Sequence, residues 1–293
     1  IVRSGIKVPL AWRVGNRGNV ASVIIEKPAA GDFLSIVDGG FGLQYSALLE
    51  YREGAGSILF CQMDVTRRSA RRGDVHDAAA ETLLANLLAY TPEPASTPPG
   101  SLEYVGDAAG IRHLTSAGYD VSPYTAGSES GPPVERILAL GPGAAQTVTA
   151  ADVEVWVASG GRILTVGVAA EELARLMPPI VETATAAYVA ASFSSQGVGA
   201  PFAGVGPGET HIREPRELGL ITGEAAFAGG LLAADDGAVV LCQVAPWQFD
   251  YDASFNLKMP FRRTSVLLSR LLGNMGARSS TPLPGRFAAP VAE

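Results

Sequence analysis

The sequence predicts an α/β protein of two tandem three-layer modules with mostly parallel sheets, the first module incomplete. Three observations predict it. An apolar strand, GSILFCQ at 56–62, returns as GAVVLCQ at 237–243, so that Cys242 follows Cys61 by 181 positions. A leucine-rich helix follows each copy: LLANLLAY at 83–90 and LLSRLLGN at 267–274, an offset of 184. Between the copies, strand and helix patterns alternate, which implies a parallel, doubly wound sheet.

The alternating series begins after TPEPASTPPG at 91–100, whose prolines and serines mark a linker. SLEYVG reads as a strand, and DAAGIRHLTSAGY as a helix ended near Gly118. ERILALGPG is a strand running into a turn at Gly141–Gly143. Thr149 and Asp152 form a capping-box pair opening the next helix, where Val153, Trp156 and Val157 face the sheet and Gly160-Gly161 stops it. RILTVGV is the next strand and AAEELARLMP the next helix. A β-rich stretch at 180–235 leads into the repeated strand.

The second copy of that strand is preceded by a long α/β series and the first only by residues 1–55. The expected domains are therefore the C-terminal half of a module at 1–92, a linker at 93–100, a full module at 101–276 and an irregular tail at 277–293. Strands around Cys61 and Cys242 should occupy equivalent positions in two similar sheets. The first unit lacks the opening βα units of the second, so either Ile1 lies inside a longer protein or another segment completes the sheet; the longer protein is the expectation.

Of the 293 residues, 47% are apolar and 17% charged, a globular composition. The net charge of −7 opposes a phosphate backbone, which argues against nucleic acid. No apolar run approaches the ~18 residues that span a bilayer, so no membrane partner is expected. Arginine far outnumbers lysine, a bias typical of high-GC bacterial genomes. A soluble bacterial protein is expected, with the compartment open and periplasmic or secreted placement among the options. Cys61 and Cys242 sit inside apolar strands, where cysteine behaves as a small hydrophobe.

The series ILALGPGAAQTVTAADVEVWVASGGRILTVGV resembles the class I glutamine amidotransferase-like fold, a flavodoxin-like arrangement. More narrowly it is similar to the β-galactosidase trimerisation type found in bacterial glycoside hydrolases. The residues carrying the likeness are Leu138–Gly143, Trp156–Gly161 and Gly167. The resemblance implies tandem flavodoxin-like modules. Active amidotransferases place a nucleophilic cysteine in G-x-C-x-G after this strand. Here the stretch is Gly167-Val168-Ala169-Ala170-Glu171, with Ala169 at the nucleophile position. The final strand leads into Ala245-Pro246-Trp247 in place of the family's His and Glu. Glutaminase chemistry is therefore not expected.

Other candidate sites follow from residue types. His76, His113 and His211 lack metal spacing, and neither a metal nor a cofactor is implied. GPGAAQ would suit a phosphate at a helix start, but lacks the Lys-Ser/Thr of a P-loop. The basic stretch TRRSARRGD at 66–74 reads as a solvated loop able to grip an acidic neighbour. The polar-aromatic segment 246–263 leaves the carboxyl end of the repeated strand, where doubly wound folds bind ligands. Its Trp247, Phe249, Asp250, Tyr251, Phe255, Phe261, Arg262 and Arg263 suit an interdomain or subunit interface, or the C–H faces and hydroxyls of a sugar. Trp247 is the expected interface anchor.

These features point to a non-catalytic, interface-forming region of a larger bacterial carbohydrate-active enzyme, in all expectation a glycoside hydrolase. Its partners would be other domains of the parent chain or other subunits, with carbohydrate a further option. Two alternatives stay open. One is a glycoside hydrolase using the loop carboxylates Glu209, Glu214, Asp250 and Asp252. The other is a carbohydrate-binding module.

Overall fold

The computed structural model describes residues 21, 23–28, 33–39, 43, 45–53, 56–66, 77–91, 101–125, 136–177, 182–194, 196, 197, 199–214, 217–277 and 279. His76, the linker at 93–100, nearly all of the basic stretch at 66–74 and most of the 277–293 tail lie outside them.

Two sheets share one long helix. The first sheet contains β1 (Ile25–Glu26), β2 (Phe33–Gly39), β3 (Tyr45–Glu53) and β4 (Gly56–Cys61). Strand β3 pairs antiparallel with the other three. Short chain connections force that sense between β2 and β3 and between β3 and β4, because a parallel pair needs a crossover of a dozen or more residues. The parallel-sheet expectation thus does not hold for the described part of the first unit. Helix α1 (Ala78–Ala89) follows, its first turn capped by Asp77 accepting from the Ala79 amide at 2.9 Å.

The second sheet has seven strands and is mostly parallel. Its chain order is β5 (Ser101–Val105), α2 (Ala108–Ser116), β6 (Val121–Pro123), β7 (Arg136–Leu140), α3 (Ala150–Ala158), β8 (Arg162–Val166) and α4 (Ala170–Leu176). Then come β9 (Glu182–Ala186), α5 (Pro207–Thr210), β10 (Leu218–Thr222), β11 (Ala226–Phe227), β12 (Leu232–Asp235), β13 (Val239–Cys242) and α6 (Lys258–Asn274). The spatial order is β11-β12-β13-β8-β7-β5-β6, while β9 and β10 form a separate antiparallel pair. Strands β6, β5, β7, β8 and β13 run parallel; β12 and β11 extend the sheet antiparallel.

Strands β5, β7, β8 and β13 of this parallel core are buried on both faces, as their continuous apolar runs require, while β6 at the edge is largely exposed. One face packs Leu102, Leu164, Val240 and Cys242 against Leu114 of α2 and Leu267, Leu268, Leu271 and Leu272 of α6. The other packs Leu138, Leu140, Ile163 and Leu241 against Val153 and Trp156 of α3 and Leu173 and Leu176 of α4. The α3 start matches its sequence reading: the Asp152 amide donates to Thr149 Oγ1 at 3.3 Å, and Asp152 Oδ2 accepts from the Thr149 amide at 2.8 Å.

Helix α6 is buried on more than one side because it also meets the first sheet. Val266 joins Phe33, Leu49 and Tyr51 in a separate cluster. Arg270 Nη1 donates to the Phe33 carbonyl at 2.8 Å, and Arg262 pairs with Glu26.

The two repeated strands do not hold equivalent sheet positions. Among the described residues, β4 has β3 as its ladder partner and stands at an edge, whereas β13 lies between antiparallel β12 and parallel β8. What the copies share is an antiparallel hairpin followed by a leucine-rich helix. The parallel neighbour is where they diverge.

Candidate functional site

In a doubly wound sheet, ligands bind beyond the carboxyl ends of the strands, where the strand order reverses. Here the chain passes from β5 outward to β6 and then back to β7 on the other side of β5. The reversal is flanked by Gly106-Asp107 after β5 and Gly141–Gly143 after β7.

The chain's own side chains fill this crevice. Tyr104, the fourth residue of β5, is 4% exposed. Its hydroxyl lies where a Cβ on Gly110 or Gly141 would come within 2.0 or 2.1 Å, so those glycines make room for the phenol. Burial, then the charge of Asp107, pushes the phenol's ionisation well above its usual range. Asp107 caps α2. Its Oδ1 accepts from the Gly110 amide at 2.8 Å and from the Tyr104 hydroxyl at 3.3 Å, and its Oδ2 from the Trp247 indole at 3.2 Å. The Trp247 ring stands edge-on to Tyr104, with centroids 6.2 Å apart. His113 lies 5.6 Å from Trp247 and 5.8 Å from Phe261 by ring centroids. Burial lowers the His113 pKa from 6.5 to about 4, so the imidazole is neutral near pH 7.

The amides of GPGAAQ, which would suit a phosphate, are also occupied. Glu172 of α4 accepts from the Gly143 amide at 3.1 Å and the Ala145 amide at 2.8 Å. An internal carboxylate thus fills the anion position of GPGAAQ.

The turn after β8 lacks the strain of a nucleophile elbow. Positive φ falls on Gly167, at 64°, where a Cβ would meet Ala245 at 2.8 Å. Ala169, the position that the resemblance would align with a nucleophile, is an exposed helix cap with φ −63° and ψ 150°. The Cys242 thiol is buried and its pKa pushed up to about 12 by desolvation, which suppresses the reactive thiolate.

The loop carboxylates go to different places. Glu209 is buried, pairs with Lys27, and accepts from the Gly206 amide at 3.0 Å. Lys27 Nζ also lies 2.7 Å from Asp38 of β2. Burial raises the Glu209 pKa, with Asp38 adding to the rise and Lys27 opposing it. Glu214 is half-buried. Asp250 and Asp252 are exposed in one turn, where Asp250 Oδ1 accepts from the Asp252 and Ala253 amides at 3.1 and 3.0 Å.

The aromatic segment divides. Phe249 is buried at 3% exposure, and Trp247 and Phe261 pack against the same core. Arg262 reaches Glu26 of the first sheet, and Arg263 Nη1 donates to the His211 carbonyl at 3.3 Å. Tyr251 and Phe255 remain exposed, at 41% and 80%.

A cleft of about 650 Å³ opens at the opposite end of the sheet, beside Arg162, Gly199, Asp236 and Asn274. Its polar groups close the fold: Arg162 Nη1 donates to the Met275 carbonyl at 2.8 Å, and Asn274 to the Pro201 and Ala203 carbonyls at 3.0 and 2.8 Å. Among the described residues, no group of three or more His, Cys, Asp or Glu could hold a metal ion, and no helix is long and apolar enough to cross a membrane.

Tyr104, Asp107, Glu172 and Lys27 were not singled out by sequence reasoning. Asp107 carried a signal, as an N-cap residue opening an apolar helix. The other three gain their roles only when distant segments meet. Comparison with protein-family models gives no match, and comparison with curated proteins gives none.

Proposed function

We propose that the chain is a non-catalytic, interface-forming α/β region of a larger bacterial carbohydrate-active enzyme, a glycoside hydrolase. The observation that carries this reading is the filled crevice, where Tyr104, Asp107 and Trp247 satisfy one another. A site that consumes its own donors and acceptors has none left to aim at a developing charge. The order β6-β5-β7-β8-β13, second-first-third-fourth-fifth along the chain, is that of flavodoxin-like sheets and supports an amidotransferase-like module in the second unit. Ala169 at the nucleophile position supports the absence of glutaminase chemistry.

Tyr251 and Phe255, with Met259 at 40% exposure, supply the apolar surface for a neighbouring domain or subunit. The exposure of two rings beside Asp250 and Asp252 favours one second reading, a sugar-contacting surface. Light scattering on the Tyr251→Ser/Phe255→Ser variant, alongside titration with oligosaccharides, tests both. The interface reading expects weaker association with parent domains and no sugar affinity. Saturable sugar binding abolished by the variant supports the binding module instead, and ammonia release from glutamine contradicts both.

A further inference from the structure

The repeated strand and helix differ in what covers them. On β13, Ile163 of β8 stands opposite Val239 and Val166 opposite Cys242, in parallel register. The positions 181 residues earlier are Ile58 and Cys61 of β4, whose ladder among the described residues is with β3 alone. Among the described residues, the edge that β8 takes on β13 is therefore the one β4 leaves open, the bridge from Ala21 reaching only Met63 beyond it.

Nothing in β4 protects that edge. Gly56–Cys61 holds no charge and no proline, the usual devices that keep an exposed strand from pairing. Ile58 is 45% exposed, while its counterpart Val239 is 4% exposed.

The helices repeat the contrast. Leu272 of α6 is fully buried, and Leu88, its counterpart 184 positions earlier in α1, is 80% exposed. The α1 side of the sheet is identifiable. Tyr90, just past α1, donates to Glu50 at 2.7 Å, and Glu50 shares a sheet face with its cross-strand partner Leu59 and with Cys61. In the second unit, Val240 and Cys242 likewise face α6. Each cysteine strand thus turns the same face toward its own following helix, but Leu272 of one helix is covered and Leu88 of the other is exposed.

We infer that the β4 edge and the exposed Leu88 of α1 form one docking surface, which receives an apolar β-strand running parallel to β4 from a further α/β unit. The incoming strand lies between the α6 side and the α1 side of the first sheet. It must therefore be apolar on both faces, as parallel strands in covered sheets are. A second copy of this chain fits less well, because a two-fold axis through the sheet would bring β4 to β4 antiparallel. This inference is independent of the reading of the crevice.

The test uses the full chain, isotope-labelled, and a peptide copying residues 160–168, GGRILTVGV, with a nitroxide on its N-terminus. The expected result is slowed hydrogen exchange across β4 and broadening centred on Gly56 and Ser57, both lost in Ile58→Lys. That variant should keep the circular dichroism spectrum, because Ile58 is already part-exposed. Three results overturn the inference: no change in β4 at the peptide's solubility limit, broadening centred on Cys61 and Gln62, or a dimer of the chain alone that Ile58→Lys dissolves.

Discussion

The indole of Trp247 donates to the carboxylate of Asp107 at 3.2 Å, joining the segment after β13 to the cap of α2 across 140 positions of sequence. The same carboxylate holds Tyr104 and the first turn of α2. One acidic side chain thus ties three elements together where a doubly wound fold would otherwise open to a ligand.

Replacing Trp247 by Phe keeps an aromatic body and removes the donor. A hydrogen bond to a charged group contributes about 1.5–3 kcal/mol, so urea denaturation should show a loss in that range with the fold retained. Trp247→Ala should cost more, through the lost packing on Tyr104 and His113.

His113 should make the protein acid-sensitive. Its folded pKa, about 4, lies below the ordinary 6.5, so the unfolded chain takes up the proton first. This contribution is fully present above about pH 6.5 and is lost as pH falls through about 4. The shift corresponds to at most about 3 kcal/mol. Thermal melts of His113→Phe across this window should lose that part of the pH dependence; an unchanged slope would mean other groups carry it.

Lys27 ties the first sheet to α5 through Glu209. Lys27→Met leaves a buried carboxylate without its cation, which typically costs about 3–5 kcal/mol. The double variant Lys27→Met/Glu209→Gln should recover part of that loss. Chemical denaturation of the two variants checks this, and an equal loss in both would contradict the pairing as its source.

The unequal burial of the repeated helices gives a paired test. Leu272→Ala should cost about 2–5 kcal/mol and Leu88→Ala should stay within about 0.5 kcal/mol of the parent. Comparable losses at both positions would show that α1 is buried as deeply as α6.

Placing a cysteine at position 169 should not create glutaminase chemistry. Ala169→Cys places a thiol on an exposed cap with ordinary backbone geometry, and the final strand leads into Ala245-Pro246-Trp247, which offers no general base. Ammonia release from glutamine should stay at background.

Sequence legibility followed the range of the interactions involved. The second unit's strands and helices from 101 to 176 were readable because their signals are local: the Thr149–Asp152 box, the turns near Gly118 and Gly143, and the apolar runs at 136–140 and 162–166. The sense of the first sheet was not, because the parallel reading of the second unit was carried over to β4 through the repeat, although β2, β3 and β4 are joined by short connections. The repeat between Cys61 and Cys242 reported a strand and a following helix, both local, but not the antiparallel hairpin that each strand closes or the parallel neighbour that β13 alone has among the described residues. The filled crevice was the least legible, because Gly110, Gly141, Tyr104 and Trp247 meet only after the sheet forms.

The account rests on a crevice closed by its own residues. Its most direct test is the indole N–H resonance of Trp247, assigned with Trp247→Phe, followed while glutamine and then a set of oligosaccharides are titrated into the chain. The account predicts a resonance that holds its position throughout and glutamine hydrolysis at background. A saturable shift of that resonance, accompanied by turnover of the added compound, would contradict it.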